Sequence, residues 1–203
     1  LSINRKIISG VYVAMIFISL ASVSAIILAD DFFNFFVFTE VLTVAQAALV
    51  IAVKETRSHK AAFKYMIFGT VSGGSILLGI ALLLGVYGLL NMTDLANAIK
   101  AGGALQPIAL TAVALITLGW LYESGLFPFH IVKSNMYENA MPEAAALLQL
   151  QSKFVLVAMS IVLLRIFSGY TLLKSVMLGF AIFTVVIGSV MALQQTELRK
   201  LLS

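Results

Sequence analysis

Four ionisable side chains stand inside segments that are otherwise apolar: Glu40, Lys64, Glu123 and Lys153. A charge at the centre of a lipid-spanning helix costs about 2.5–3.5 kcal/mol on insertion scales. Such residues persist where they pair with one another or face water, and they commonly mark ion paths. Burial raises the pKa of a carboxyl and lowers that of a lysine, bringing both toward the working pH, as exchangeable proton carriers require. Two readings follow. Either the carboxylates make structural ion pairs with lysines that hold a bundle together, or the four residues are stations in a proton relay. Lys64 lies close to a basic connector and can also snorkel to the membrane surface. Thr43, Gln46, Gln149, Gln151 and Ser152 lie near these positions, where they can host bridging waters or bond across helices.

The strongest local signal is the stretch Leu121 to Lys153. It carries Glu123, is broken by Gly125 and Pro128, continues as a loop of polar residues, and re-enters an apolar segment that bears Lys153. A broken helix at membrane depth is tolerated where it is buried in protein or lines a water-filled cavity. His130 follows the break. It can pass protons from an opening at that end, or it can cap the carbonyls that the break frees.

The elements that must position these groups are membrane helices. The chain has 203 residues, 61% of them hydrophobic and 11% charged, against about 25% charged in soluble domains. Six apolar stretches are each long enough for the roughly 20 residues that a bilayer core demands, at about 7–29, 32–53, 63–90, 107–127, 144–167 and 173–195. The expected fold is an all-α polytopic membrane bundle forming one domain over 1–203. The third stretch is rich in glycine (Gly69, Gly73, Gly74, Gly79, Gly85, Gly88), which permits close helix packing. Segment 91–106 reads as a nearly neutral connector. The connector from Lys54 to Lys60 is the most basic and is expected to be cytoplasmic. Alternating sides then puts Arg5, Lys6, Lys54, Arg57, Lys60, Lys133, Arg199 and Lys200 inside, with Lys100, Lys174 and Arg165 outside. The net charge of +4 follows this membrane pattern and is no argument for nucleic acid. The chain has no cysteine, so thiolate metal sites and iron–sulfur ligation by it are excluded. No phosphate loop, metal-ligand cluster or nucleophile triad is legible, and no cofactor is expected. The first residue is Leu1 and the last residues follow directly on an apolar segment, so an internal piece of a longer protein is expected.

Several motifs carry a family resemblance. Asp31-Phe-Phe-Asn34 through Thr39-Glu40 resembles the glutamate-bearing fifth helix of the antiporter-like subunits found in NADH–quinone oxidoreductase (complex I), Mrp cation/proton antiporters and energy-converting hydrogenases. Lys64-Tyr65 with Phe68-Gly69 resembles the start of the next helix. Gly125-Leu-Phe-Pro128-Phe-His130 is similar to the break in the seventh helix. Ala145-Ala146-Leu147-Leu148 through Ser152-Lys153 resembles the eighth, and Thr196-Glu197-Leu198-Arg199-Lys200 the link after the ninth. The resemblance covers nearly the whole chain. It implies the first of two inverted repeats, about helices four to eight, plus one helix of the second. It implies proton or cation/proton translocation within a multisubunit membrane complex, with redox centres on other subunits, protons or Na+ as the ion, and a prokaryotic plasma membrane as the location. The carriers it implies are Glu40, Lys64 and Lys153. One departure is central. Five residues before the Pro of the break, where the family carries a lysine, stands Glu123. A second departure follows the break, where Ile131-Val132-Lys133-Ser134 replaces a stretch that commonly holds Trp and Pro. Two consequences are open: Glu123 pairs with Lys153 and keeps a proton path, or the half-channel has lost pumping and the subunit is a non-pumping structural member of its complex.

Overall fold

A computed structural model of the chain describes residues 10–102, 107–167 and 169–193. Eight helices follow in order: α1 Gly10–Leu28, α2 Phe32–Ile51, α3 Thr56–Tyr87, α4 Met92–Gly102, α5 Pro107–Ser124, α6 His130–Glu138, α7 Pro142–Ile166 and α8 Thr171–Leu193. Six of them, all but α4 and α6, are long and apolar enough to cross a membrane. The fold is an all-α polytopic bundle with the expected break. The links Thr196–Lys200 and the charges Arg5, Lys6, Arg199 and Lys200 lie outside the described residues.

Capping chemistry sets the helix ends. The Asp31 carboxylate accepts from the N–H groups of Phe33 and Asn34 at 2.8 and 3.0 Å, satisfying two of the donors that a helix start leaves free. α3 stops at Gly88, whose φ of +69° suits a residue without Cβ. α3 starts at Thr56 rather than near 63, because the charged residues of the basic connector form its first turns. Segment 91–106 is likewise not a plain connector. Asn91 caps the N–H groups of Thr93 and Asp94 at 3.0 and 3.1 Å, and α4 follows, with Asp94 in its first turn and Lys100 in its last.

Two polar ties fix the ends of the bundle. At one end, Phe32 N–H donates to Leu90 and Met92 N–H to Asp30, joining the α1–α2 turn to the α3–α4 turn. Asn91 and Thr93 donate to the Asp30 carboxylate, and Arg165 from the end of α7 donates to Thr93 at 3.2 Å. At the other end, Ser58 of α3 donates to the Asn139 carbonyl just after α6 at 2.8 Å.

The interior is divided. One apolar cluster includes Phe35, Leu42, Ile76, Trp120 and Val155, and the other includes Ala47, Tyr65, Tyr122, Met136 and Leu148. Thr43 and Gln46 lie between the clusters along α2. Gly69, Ser72 and Gly73 do so along α3, and Gln151 and Ser152 along α7. A polar layer therefore crosses the bundle where the two apolar clusters meet. α3 packs most extensively on α5. Glycine makes this possible, since a Cβ on Gly119 would lie 2.4 Å from Ile76 and 2.7 Å from the Ser72 carbonyl. Ser72 and Ser75 donate across the seam to the carbonyls of Gly119 and Leu115.

Candidate functional site in the polar layer

The break is built from the backbone. Gly125 takes φ +68° just past the end of α5. Its N–H bonds to Tyr122 O at 2.9 Å, and Leu126 N–H to Leu121 O at 3.0 Å. This pair of bonds is the Schellman ending, which a left-handed glycine permits. Phe127 N–H leaves the broken helix and donates to the Thr184 hydroxyl of α8 at 3.1 Å. Pro128 has no N–H to give, and its peptide bond with Phe127 is cis. The chain then turns into α6. The Glu123 carbonyl is left without its helical partner, and the Lys133 ammonium takes it.

Glu123 is 3% exposed and its carboxylate faces the Thr43 hydroxyl at 3.4 and 3.5 Å. Lys133, also 3% exposed, reaches the same place from α6. Its ammonium donates to the Glu123 carbonyl and to Ser152 Oγ at 3.3 Å, and lies 5.7 Å from the centre of the Tyr65 ring. Ser152 Oγ is 2.7 Å from the Tyr137 hydroxyl. The charges of Glu123 and Lys133 act on one another. Glu40 also acts on Glu123, and Lys153 on Lys133.

Glu40 is half-buried near the middle of α2, eight residues, or ~12 Å, from its start at Phe32. Its carboxylate occupies the space that a side chain on Gly73 would fill. Beside these charges runs a neutral chain of side chains. The Tyr65 hydroxyl donates to Gln46 at 2.9 Å, Gln46 to Gln151 at 3.1 Å, and Gln151 to Ser19 at 2.8 Å. It links α3, α2, α7 and α1 with no buried amide left unmatched along the way.

The sequence-based expectations fare unevenly here. Glu123 and Glu40 lie in the polar layer. Lys64 and Lys153 are exposed on the outer faces of α3 and α7, so the structure does not bring their side chains into the buried cluster. Lys153 follows Ser152 in α7 and so adjoins the cluster by sequence. Lys133, not Lys153, is the lysine whose ammonium reaches Glu123, through its backbone carbonyl. Lys133 was expected at the cytoplasmic surface because it falls between two apolar stretches. It is buried instead, since the polar stretch after Pro128 is the helix α6 and not a surface loop. The signal that could have found it is its position ten residues after Glu123, across the break. His130 neither caps a freed carbonyl nor joins the cluster. Its Nε2 lies 3.1 Å from Met191 Sδ of α8, and its ring stacks on Phe127. Gly125 and Pro128 form the break as expected. Among the described residues no group of three or more His, Asp or Glu could hold a metal ion.

Residues 29–203 match the family model described as NADH:quinone oxidoreductase/Mrp antiporter, transmembrane. An uncharacterized protein of Methanocaldococcus jannaschii is 37% identical over 203 residues, covering 98% of this chain and 42% of that protein. NADH-quinone oxidoreductase subunit N of Rhodococcus opacus is 32% identical over 184 residues, covering 86% of this chain and 33% of the relative. Among solved structures, a chain of the membrane-bound sulfane sulfur reductase, an archaeal respiratory membrane complex, superposes with a TM-score of 0.86 at 26% identity. That match covers 99% of this chain and 42% of the other. A chain of respiratory complex I from Thermus thermophilus shares the fold, with a TM-score of 0.78 at 22% identity over 96% of this chain and 42% of its own length. The chain thus spans less than half the length of these relatives. With six membrane-length helices and a family match over most of its length, this is an integral, multi-pass membrane chain that belongs to the NADH:quinone oxidoreductase/Mrp antiporter transmembrane family.

Proposed function

We propose that this chain forms a proton-conducting half-channel within an antiporter-like subunit of a membrane-bound, respiratory-type complex. The observation that carries the reading is the buried pair at the break, Glu123 and Lys133, set in a polar layer between two apolar clusters. An acid and a base buried in apolar surroundings are costly unless they pair or exchange protons. Here they meet where two half-helices end, and Glu40 is the next charge along. In this reading Glu40 and Glu123 hand protons to one another through water, and Lys64 and Lys153 connect the path to the covering helices of the complete subunit. The remainder of the subunit, further membrane subunits and the lipid bilayer are the partners, and a prokaryotic plasma membrane is the location. The transported ion is the proton, with Na+ as the competing cargo.

The test uses the assembled parent complex in sealed vesicles, energised by its own substrates, with a pH-sensitive dye reporting proton uptake. Glu123→Gln keeps the size of the side chain and its contact with Thr43 but cannot exchange a proton. Uptake should fall by about tenfold or more, with normal assembly. Unchanged uptake would refute the half-channel and leave the non-pumping structural subunit as the better reading. Repeating the measurement without Na+ separates the two cargoes, since proton uptake driven by Na+ exchange would stop.

A further inference from the structure

Lys133 is the one buried lysine among the described residues, and its setting is more than a helix cap. Its ammonium has three donors. Two are directed at the Glu123 carbonyl and Ser152 Oγ, and the face of Tyr65 lies nearby. Its alkyl stem runs past Gly125, where an added Cβ would lie 3.1 Å from Lys133 Cδ. The glycine that ends α5 therefore also leaves room for the lysine. The residue sits on the nine-residue helix α6, joined to α5 by the break rather than by a continuous ladder. The acid on one side of it is Glu123, and the charge beyond it is Lys153, next in sequence to the Ser152 that it contacts.

We infer that Lys133 is a proton carrier of this half-channel, standing between Glu123 and Lys153 and acting as the exchangeable counterion of Glu123. The step balances simply. The Lys133 ammonium gives a proton to a water on its Lys153 side, and that water, now a hydronium, carries the proton onward. The neutral Lys133 amine then takes a proton from the Glu123 carboxyl, which becomes a carboxylate beside the restored ammonium. Ser152 and Tyr137, 2.7 Å apart, line the side of the path toward α7. The inference rests on the half-channel reading above.

Two variants in the same vesicles test it, with Glu123→Gln alongside. Lys133→Arg keeps the charge and the donors, but a guanidinium does not release its proton. Lys133→Gln keeps a donor and has no proton to exchange. Both are expected to assemble and to lose uptake by about tenfold or more. Uptake within about twofold of the unchanged complex in Lys133→Arg would reduce the residue to a fixed cation capping α5 and overturn the inference. Failure of Lys133→Arg to assemble would make its role structural and overturn it equally. If Lys133→Gln alone fails to assemble, the arginine variant decides. If Glu123→Gln blocks uptake and Lys133→Arg does not, only this inference fails. If neither variant changes uptake, the half-channel reading fails with it.

Discussion

Replacing Gly73 by alanine adds one methyl group where α3 faces Glu40. The new Cβ would lie 1.9 Å from Glu40 Oε1, 2.8 Å from Cδ and 3.3 Å from Oε2. Ordinary packing keeps such atoms about 3.5 Å or more apart, so the carboxylate must swing away by well over 1 Å. The three nearest atoms all belong to the far end of a flexible side chain. A strained rotamer costs about 0.5–1.5 kcal/mol, and a glycine-to-alanine change inside a helix returns up to ~1 kcal/mol. The two nearly cancel, so the stability of the bundle should change by less than about 1 kcal/mol. Function should not be spared. A misplacement of about 1 Å can cost ~100-fold in a positioned reaction, and Glu40 would be moved further than that. The assay pairs thermal unfolding of the purified complex with dye-reported proton uptake in vesicles. The neighbouring residue supplies the control, because a Cβ on Gly74 meets nothing within 4 Å. Gly74→Ala should leave proton uptake unchanged and raise stability by up to ~1 kcal/mol. Full proton uptake in an assembled Gly73→Ala complex would refute the reasoning, since it would mean that the carboxylate need not stand where it does.

Two stability predictions accompany this one. Gly119→Ala presses a methyl group against Ile76 and the Ser72 carbonyl of α3, where backbone must shift, so it should lower stability by about 1–3 kcal/mol; an unchanged unfolding temperature in detergent would contradict the close α3–α5 seam. Gln151→Leu strips partners from Gln46 and Ser19 in the buried amide chain and should cost about 1–3 kcal/mol; a neutral result would mean that the chain of bonds adds nothing to holding α1 against α2 and α7.

Hydropathy made the membrane spans legible, because length and apolar content are what a bilayer selects. The two short helices were not legible in that way. α4 is only eleven residues long and mixes Asp94, Asn97 and Lys100 with its apolar positions. Its capping residue Asn91 is the local cue, and hydropathy passes over it. α6 holds His130, Lys133, Ser134, Asn135 and Glu138 in nine residues, so its composition reads as a surface loop. Its helical state follows from its surroundings. Met136 and Tyr137 pack into the apolar cluster with Tyr65 and Leu148, and Lys133 meets Glu123 and Ser152. Assigning charges to sides of the membrane by alternation places every charge between spans at a surface, and Lys133 is the residue for which that fails. Glu40 and Glu123 were recognisable because a carboxylate inside an apolar run needs a reason. Their partners were not, since which lysine meets Glu123 depends on how the chain turns after Pro128, and one apolar stretch looks much like another.

α8 differs from the rest of the bundle in what holds it. None of its membrane-length window is buried, and its described polar ties run to the break: the Thr184 hydroxyl to Phe127 N–H, and Met191 to His130. Phe127 and Phe183 add a ring contact at 5.6 Å. In mechanical terms α8 is a follower riding on the break, with Leu173 and Met177 resting against the first apolar cluster. Rolling of α8 about these points can leave the Phe127–Thr184 bond in place, whereas a slide of one helical turn, ~5.4 Å, must break it. The junction therefore yields to rotation and resists translation, so a push along the membrane normal at α8 would be felt first at the joint between α5 and α6.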